Sequence, residues 1–274
     1  MPIVTRPPRL TATQVAQYHQ EGYAICTQPV FSAALFNGLK NHFETLLAGL
    51  PAGKRPENMD VPHFADPALF HWLLHEEILD LVEPLIGPDI ALFSSHFLCK
   101  PAGDGKRVPW HEDSAYWQGK LTPMEVVTVW LAIDGSDAEN GAMRVIPGTH
   151  LGKGGYSDYA AVPDPERAVF GNEIKSSCFD AKRAVTLDLA PNQASLHHAK
   201  LMHGSQANTS ARRRCGYTMR YVSTRSRFDH ERFGAGHQIY LARGRDHAGN
   251  VYADPGKPAG ELLKARAGLF HHGH

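Results

Sequence analysis

The sequence predicts an α+β, mainly β protein in which N-terminal helices brace an antiparallel sandwich or barrel. Two observations carry this prediction: apolar residues recur at helical spacing up to about residue 86, and short β-type runs between Pro, Gly and Asn turns follow from Asp89 onwards. Helices followed by many short strands are typical of this class. The 274 residues suit one catalytic-sized domain over 1–274. We expect helices at about 11–86, a β core at about 89–223 and a C-terminal extension at about 224–274.

The N-terminal part carries three helical segments with recognisable ends. Thr11 suits the N-cap of a first helix, and Gly22 stands where a left-handed C-terminus is expected. A short strand over 23–26 follows. Apolar residues at helical spacing predict a second helix over 31–47 and a third over about 74–85, which ends before a Gly-Pro pair.

The β core begins where the residue pattern changes after the third helix. Strand propensity and turn residues predict strands over 90–99, 126–133, 144–146, 184–189, 194–196 and 216–222. The segment 151–180 is rich in glycine and proline and lacks periodicity. Such a long segment is more typical of a functional loop than of a linker between domains, so we expect a mobile lid there.

Charge and composition exclude several classes of protein. Lys plus Arg and Asp plus Glu both number 28, so no global field favours nucleic acid or an anionic membrane. The longest apolar run, over 126–133, is far shorter than the ~20 residues of a membrane-spanning helix. The N-terminus lacks the features of a signal peptide, and the four cysteines form no C-x-x-C pair. These observations predict a cytoplasmic protein with reduced thiols that binds neither nucleic acid nor membrane.

A candidate metal site begins with His111-Glu112-Asp113. On an extended strand, residues i and i+2 point the same way, so His111 and Asp113 can share one metal ion. His203, at an expected strand end, supplies a third ligand. Two histidines and a carboxylate form the facial triad that binds ferrous iron and leaves positions open for a chelating cosubstrate and dioxygen. The plain alternative for the first pair is a strand-end turn; motifs of serine hydrolases, zincins and Walker A proteins are absent from the sequence.

A run of three arginines follows His203 after a polar, turn-rich segment. A hairpin that turns at Asn208-Thr209 would place Arg214, the last of the three, opposite His203. Its guanidinium would then hold a carboxylate on the iron side of the barrel. The alternative is that all three arginines belong to a solvated turn.

Four separated motifs resemble one enzyme family. They are His111-Glu112-Asp113, the segment 139–150 (Glu-Asn-Gly-Ala-Met-Arg-Val-Ile-Pro-Gly-Thr-His), His203-Gly204-Ser205, and Arg214. In this order, over about residues 10–222, they resemble the phytanoyl-CoA dioxygenase family of iron(II)/2-oxoglutarate oxygenases. The sequence departs from the family at 191–194, where Pro-Asn-Gln-Ala stands in place of a common Gly-Asp before the strand that leads to the second histidine.

The resemblance implies a fold and an activity. The fold is a double-stranded β-helix, a jelly-roll or cupin-like core. His111, Asp113 and His203 are implied to ligate iron(II), and Arg214 to grip the distal carboxylate of 2-oxoglutarate. The implied enzyme is a dioxygenase that uses O2 to hydroxylate a small organic metabolite while 2-oxoglutarate is oxidatively decarboxylated to succinate and carbon dioxide. Halogenating relatives carry a small residue in place of the aspartate, so Asp113 favours hydroxylation or desaturation over chlorination.

Other residues near these motifs receive weaker assignments. The resemblance places Ser205 and Trp130 beside the cosubstrate, although a turn residue and a plain core residue explain them equally well. His198 stands where similar proteins often carry a pocket histidine, and we expect neither it nor His197 to ligate iron. His150 is expected to position its loop.

The substrate and two alternative functions remain open at this point. Tyr116 and Trp117 follow the ligand strand, and Tyr156 and Tyr159 lie in the expected lid, which favours an apolar or ring-containing small-molecule substrate. Core packing also explains these aromatic residues. A metal-dependent hydrolase or lyase on the same barrel would not need Arg214. A non-catalytic binding protein would tolerate the loss of either candidate histidine ligand.

Overall fold

The computed structural model describes residues 9–152, 158–234 and 236–257. Within these residues the chain forms the helices α1 (Ala12–Glu21), α2 (Ala33–Ala48), α3 (Phe70–Leu73), α4 (Glu76–Ile86), α5 (Ser114–Trp117) and α6 (His230–Phe233). The same residues form the strands β1 (Tyr23–Cys26), β2 (Met59–Asp60), β3 (Ile90–Lys100), β4 (Val108–His111), β5 (Leu121–Thr122), β6 (Val126–Ala132), β7 (Met143–Val145), β8 (Tyr159–Ala161), β9 (Asn172–Ile174), β10 (Val185–Thr186), β11 (Ala194–His198), β12 (His203–Ser205), β13 (Arg214–Ser223), β14 (Arg227–Phe228) and β15 (Tyr240–Arg243).

Two antiparallel sheets form the core of the molecule. The larger has the strand order β1-β11-β6-β13-β3-β15, with β2 also paired to β3, and the smaller has the order β10-β7-β12-β4. Few neighbours in either sheet are consecutive in sequence, so the chain crosses repeatedly from one sheet to the other. This arrangement is a jelly roll, the double-stranded β-helix that the sequence predicted, with helices preceding it in the chain.

The larger sheet has one apolar face, covered by helices, and one face that carries polar side chains. Val127, Val129 and Leu131 of β6 pack with Leu39 and Phe43 of α2 in the main hydrophobic cluster. Because side chains alternate along a strand, the intervening residues of β6 point the other way, towards the smaller sheet. The interior between the two sheets is therefore the place where buried polar groups collect.

The predicted helix ends are confirmed at both ends of α1. Thr11 accepts a hydrogen bond from the amide of Gln14, whose side chain bonds back to the Thr11 amide in a capping box. Gly22 ends the helix at φ +87°. A Cβ at this glycine would come 2.6 Å from Nδ1 of His150, so both the backbone and the space require glycine.

Several predicted strands differ in extent from the observed ones. The strand predicted over 184–189 is only Val185–Thr186, whereas the one predicted over 194–196 extends over Ala194–His198. The first is short because it pairs with β7 alone, at the edge of its sheet. At the unusual segment 191–194, Asn192 adopts φ +68° and its side chain forms two hydrogen bonds with the backbone of Phe31. No helix of the described residues is long and apolar enough to cross a membrane.

Candidate metal centre

Three buried side chains of metal-ligating type converge at the end of β4 and the start of β12. His111 and His203 lie directly opposite each other on these antiparallel strands. Asp113 follows in the turn that starts α5, with φ −56° and ψ −37°, so the predicted extended i, i+2 geometry is wrong in detail. One nitrogen or oxygen atom from each residue nevertheless lies within 4.8 Å of the others. The fold thus gathers the three predicted ligands into one buried cluster.

Both histidines are oriented to bind a metal ion through Nε2. Nδ1 of His111 donates to the Pro109 carbonyl and Nδ1 of His203 to the Leu201 carbonyl, each at 2.8 Å. A carbonyl oxygen only accepts, so the proton stays on Nδ1 and Nε2 keeps its lone pair. Burial lowers the pKa of both imidazoles and holds that of His203 well below its usual range. Neutral imidazoles beside a carboxylate fit a divalent transition metal ion.

Asp113 is held as a carboxylate by its neighbours. Thr128 donates to Oδ2 at 3.2 Å, Arg220 Nε lies 3.4 Å from the same oxygen, and His197 Nε2 lies 3.8 Å away. Burial alone raises the pKa of this carboxyl, but Arg220, His197 and the two candidate histidine ligands outweigh it and hold the pKa well below its ordinary value. The carboxylate is therefore ionised and ready to ligate a cation at neutral pH.

Arg214 reaches the same cavity from the other sheet. The predicted hairpin between His203 and Arg214 is wrong, because β12 pairs with β4 and β7 whereas β13 pairs with β3 and β6. The segment 206–213 connects two different sheets instead of turning within one. Arg214 consequently faces the cavity across the gap between the sheets, with Trp130 and Ser205 also in the cavity wall.

The guanidinium of Arg214 is buried and incompletely paired. Its Nε and Nη2 donate to the Gly141 carbonyl at 3.1 and 2.6 Å, and its centre lies 5.1 Å from the ring centroid of Trp130. Nη1 is buried and has no hydrogen-bond partner among the described residues. Burial lowers the pKa to about 10, so the group remains cationic at neutral pH. A buried cation with an unused N–H and without an ion-pair partner in the described part of the chain is suited to receive an anion.

Lys100 is a second buried cation beside this position, and the sequence analysis missed it. It lies opposite Arg214 in the register of β3 and β13. Its Nζ donates to Ser205 Oγ at 2.7 Å and to the Gln206 carbonyl. Burial, followed by the charge of Arg214, holds its pKa well below the usual value. Two like charges opposite each other are unfavourable unless an anion lies between them, which strengthens the case for an anion site at this end of the cavity.

A cavity that opens to solvent connects the metal-ligand cluster with Arg214. The segment predicted to be a lid contributes Phe170, whose ring lies 4.9 Å from that of His111. Strands β8 and β9 of this segment form a hairpin, and Arg107 ties it to the core through ion pairs with Asp164 and Glu173. Residues 153–157 of the segment lie outside the described residues. The hairpin thus covers one side of the cavity, and its mobility stays a prediction.

The pocket histidine is His197, not His198. The His197 ring centroid lies 4.7 Å from that of His203, and neither ring nitrogen has a hydrogen-bond partner among the described residues. His198 packs against His150 at 5.3 Å, away from the cavity. Adjacent residues of a strand face opposite sides of the sheet, so His197 points into the cavity and His198 points away from it. His150 bonds the His19 carbonyl and takes no part in the ligand cluster.

The aromatic residues singled out in the sequence occupy different environments. Tyr116 is half-buried, with its ring 6.3 Å from that of His111, and Trp117 is buried against Phe93. The Tyr159 hydroxyl accepts a hydrogen bond from the Glu112 amide at 3.1 Å. Tyr156 lies outside the described residues.

Comparison with known proteins identifies the family. A family model described as phytanoyl-CoA dioxygenase (PhyH) matches residues 4–216. The chain belongs to the phytanoyl-CoA dioxygenase family. A probable alpha-ketoglutarate-dependent hypophosphite dioxygenase of Stutzerimonas stutzeri is 32% identical over 59% of this chain and 54% of its own length. The L-proline trans-4-hydroxylase of Streptomyces griseoviridis is 27% identical over 53% of this chain and 59% of its own length. The chain thus spans about half the length of the curated relatives it matches.

Solved structures share the fold with this family member. The apo form of the non-heme monooxygenase ThoJ superposes with a TM-score of 0.69 at 23% identity, over 94% of this chain and 93% of that one. EctD from S. alaskensis with bound Fe gives a TM-score of 0.65 at 21% identity, over 82% and 80% of the two chains. These similarities support the jelly-roll architecture found here.

Proposed function

We propose that this protein is an iron(II)- and 2-oxoglutarate-dependent dioxygenase that hydroxylates a small organic metabolite. The observation that carries the proposal is a single cavity with a buried His-Asp-His cluster on one side and the incompletely paired cation of Arg214 on the other. A metal-dependent hydrolase or lyase would not need the incompletely paired cation of Arg214. The relatives' names support the same activity, since they include a probable alpha-ketoglutarate-dependent dioxygenase and a hydroxylase.

His111, Asp113 and His203 would hold the ferrous ion. Both imidazoles offer Nε2, and the carboxylate stays ionised because Arg220 and His197 favour its charged form. With these three protein ligands the ion would keep positions free for a chelating cosubstrate and dioxygen. When bound, iron and 2-oxoglutarate supply the activation of dioxygen, coupled to release of succinate and carbon dioxide.

Arg214 would hold the distal carboxylate of 2-oxoglutarate. Its Gly141 contact and its position over Trp130 fix the guanidinium, so the free Nη1 is already oriented when the anion arrives. Ser205, positioned by Lys100, lies in the same wall. Orientation of the cosubstrate is then set by the protein before the substrate binds.

The lid hairpin would exclude water from the reaction. Phe170 covers His111, and Arg107 fastens the hairpin through two carboxylates. Exclusion of water strengthens the electrostatic contacts inside the cavity and protects a reactive site from side reactions. Asp113 would supply a carboxylate ligand where a halogenating enzyme needs room for a halide, which favours hydroxylation or desaturation over chlorination.

The substrate is proposed to be a small molecule with an apolar or ring-containing part. Tyr116 and Phe170 flank His111 and offer aromatic surface near the site of oxidation. The relatives are named for substrates as different as hypophosphite, phytanoyl-CoA and L-proline, so family membership leaves the substrate open. A cytoplasmic location and a single catalytic domain complete the proposal.

Anaerobic titration tests the cosubstrate assignment. We expect apo-protein with iron(II) and 2-oxoglutarate to develop a visible charge-transfer absorption, and succinate to form when air is admitted. His111→Ala abolishes both signals, whereas Arg212→Ala, which removes a surface arginine paired with Asp137 and Glu139, retains both. Absence of the absorption band in wild-type protein with bound iron would refute the proposal in favour of the hydrolase or binding-protein alternatives.

A further inference from the structure

We propose that Arg220 binds an anionic oxygen group of the substrate, so that the substrate of this enzyme carries a carboxylate or a phosphorus oxyanion. This inference rests on the proposed function and adds the chemical class of the substrate to it. The sequence analysis did not single out Arg220. It lies on β13, six residues after Arg214, and the even spacing directs both side chains to the same face of the strand.

Arg220 lies at the end of the cavity next to Asp113. Its Nε is 3.4 Å from Asp113 Oδ2, its Nη1 is 3.4 Å from Ser94 Oγ, and its centre is 5.6 Å from the Trp117 ring centroid. Arg214 has a different set of partners, Gly141 and Trp130, at the Ser205 end. The cavity therefore has a cation at each end, and the cosubstrate needs only one of them.

The contacts of Arg220 leave much of its binding capacity unused. The two hydrogen bonds that its guanidinium makes with described residues, from Nε and from Nη1, are both long at 3.4 Å. The carboxylate of Asp113 shares its charge with a metal ion once the ion is bound, which weakens its hold on the guanidinium. The side chain remains 15% exposed, in the wall of a cavity open to solvent. A ligand entering the cavity can therefore reach a cation that is not fully neutralised.

The charges in the cavity, counted with iron and 2-oxoglutarate bound, also favour an anionic substrate. Among the described residues of its wall, the charged side chains other than histidine are Asp113, Arg214 and Arg220. Ferrous iron contributes two positive charges and the two arginines one each, whereas 2-oxoglutarate carries two negative charges and Asp113 one. This count leaves at least one positive charge when the histidines are neutral, and Lys100, whose Nζ donates to the Ser205 hydroxyl of the wall, adds another when it is protonated. A substrate with a negative charge lowers this excess, and a cationic substrate is disfavoured.

Arg220 is the donor beside Asp113 that suits an oxyanion. Thr218, two residues earlier on the same face of β13, and His96 on β3 also line the cavity, but the Thr218 hydroxyl donates to the His96 carbonyl and His96 Nε2 bonds the Glu57 carbonyl. The Trp117 ring lies within cation–π distance of the guanidinium, at 5.6 Å. An arginine with a planar fork of N–H groups is the side chain best matched to a carboxylate or a phosphorus oxyanion. The aromatic surface of Tyr116 and Phe170 would then contact the remainder of the substrate.

Calorimetry with charged and neutral ligands of similar shape tests the proposal. The protein is saturated with nickel(II) and N-oxalylglycine, an unreactive analogue of 2-oxoglutarate, and titrated with benzoate, benzamide or dimethylphosphinate. We expect at least one anion to bind tenfold or more tightly than benzamide. Preference for benzoate assigns a carboxylate, and preference for dimethylphosphinate a phosphorus oxyanion. Equal or undetectable binding of all three overturns the inference.

Variants separate anion recognition from support of Asp113. Arg220→Gln is expected to remove the preference for the anion, Arg220→Lys to keep it in part, and Arg225→Gln, at an exposed arginine paired with Glu125, to leave it unchanged. An unchanged preference in Arg220→Gln overturns the inference and leaves Arg220 as a neighbour of Asp113 only. If Arg220→Gln does not bind metal, the test rests on the wild type and on Arg220→Lys. Benzoate and benzamide differ mainly in charge, so a difference in their affinities reports on recognition of the charge. Failure of nickel and N-oxalylglycine to bind refutes the proposed function and this inference together, whereas their binding without anion preference refutes this inference alone.

Discussion

Replacement of Arg214 by methionine is the sharpest test of the cosubstrate site. The side chain is fully buried, and its only protein hydrogen bonds among the described residues go to the Gly141 carbonyl. Methionine keeps much of the volume and removes the charge. We expect Arg214→Met to bind 2-oxoglutarate weakly, while iron binding and the unfolding of the apo-protein change little.

The expected magnitudes follow from the contacts of Arg214. A carboxylate on the free Nη1 makes one or two charge-assisted hydrogen bonds, and their loss costs about 2–4 kcal/mol, or about 30- to 700-fold in affinity. The free energy of unfolding of the apo-protein should change less than the affinity for 2-oxoglutarate. Burial lowers the pKa of Arg214 to about 10, below its value in the unfolded chain. Below pH 10 both states carry the charge, but the folded state carries it at a cost. This cost lowers the stability of the apo-protein by about 3 kcal/mol. Arg214→Met removes this cost of the buried charge. The gain offsets the loss of the hydrogen bonds to Gly141, which is worth about 1–3 kcal/mol.

The assay combines cosubstrate affinity with thermal unfolding. The Kd for 2-oxoglutarate is measured anaerobically with iron(II) from the visible absorption, and Tm is measured with and without the two ligands. 2-Oxoglutarate should raise Tm in the wild type and in Arg212→Ala but not in Arg214→Met. Arg213→Ala loses ion pairs with Glu44 and Asp134 and should lower Tm without changing the Kd. An unchanged Kd in Arg214→Met, or a large change in Arg213→Ala, would show that the anion site has been assigned to the wrong arginine.

Three further outcomes are expected. Asp113→Ala should lower metal affinity more than ~100-fold in a competition titration and abolish hydroxylation; near wild-type activity would remove it from the ligand set. Arg107→Ala should speed limited proteolysis in 158–175, and iron with 2-oxoglutarate should slow cleavage of the wild type; equal rates in all samples would mean a static loop. Burial lowers the pKa of His63 to about 3, so the unfolded state binds more protons below pH 6.5. Unfolding free energy should therefore fall by up to about 1.4 kcal/mol per pH unit between about pH 6 and pH 3 on account of this residue, and His63→Leu should flatten the slope over that range in denaturant titrations.

Local patterns in the sequence were enough to predict the elements and the ligand types. The capping box at Thr11, the glycine at position 22 and the strand over 23–26 depend on neighbours within a few residues, and the structure has all three. The jelly-roll fold followed from helices preceding many short strands and from the resemblance of the motifs. The residues proposed as metal ligands, His111, Asp113 and His203, carry chemistry that their types alone reveal, and the fold brings them together.

Tertiary structure decided which strands pair and therefore what each interior position contacts. The spacing between His203 and Arg214 resembled a hairpin, but a jelly roll sends consecutive strands to different sheets, so the two residues face each other across a cavity. Lys100 and Arg220 joined the site only through the register of β3 with β13 and the position of β13 beside β6. Strand register depends on contacts between segments distant in sequence, which no local pattern contains. The sequence by itself therefore determined the candidate metal ligands, and the pairing of the sheets decided the charges that surround them.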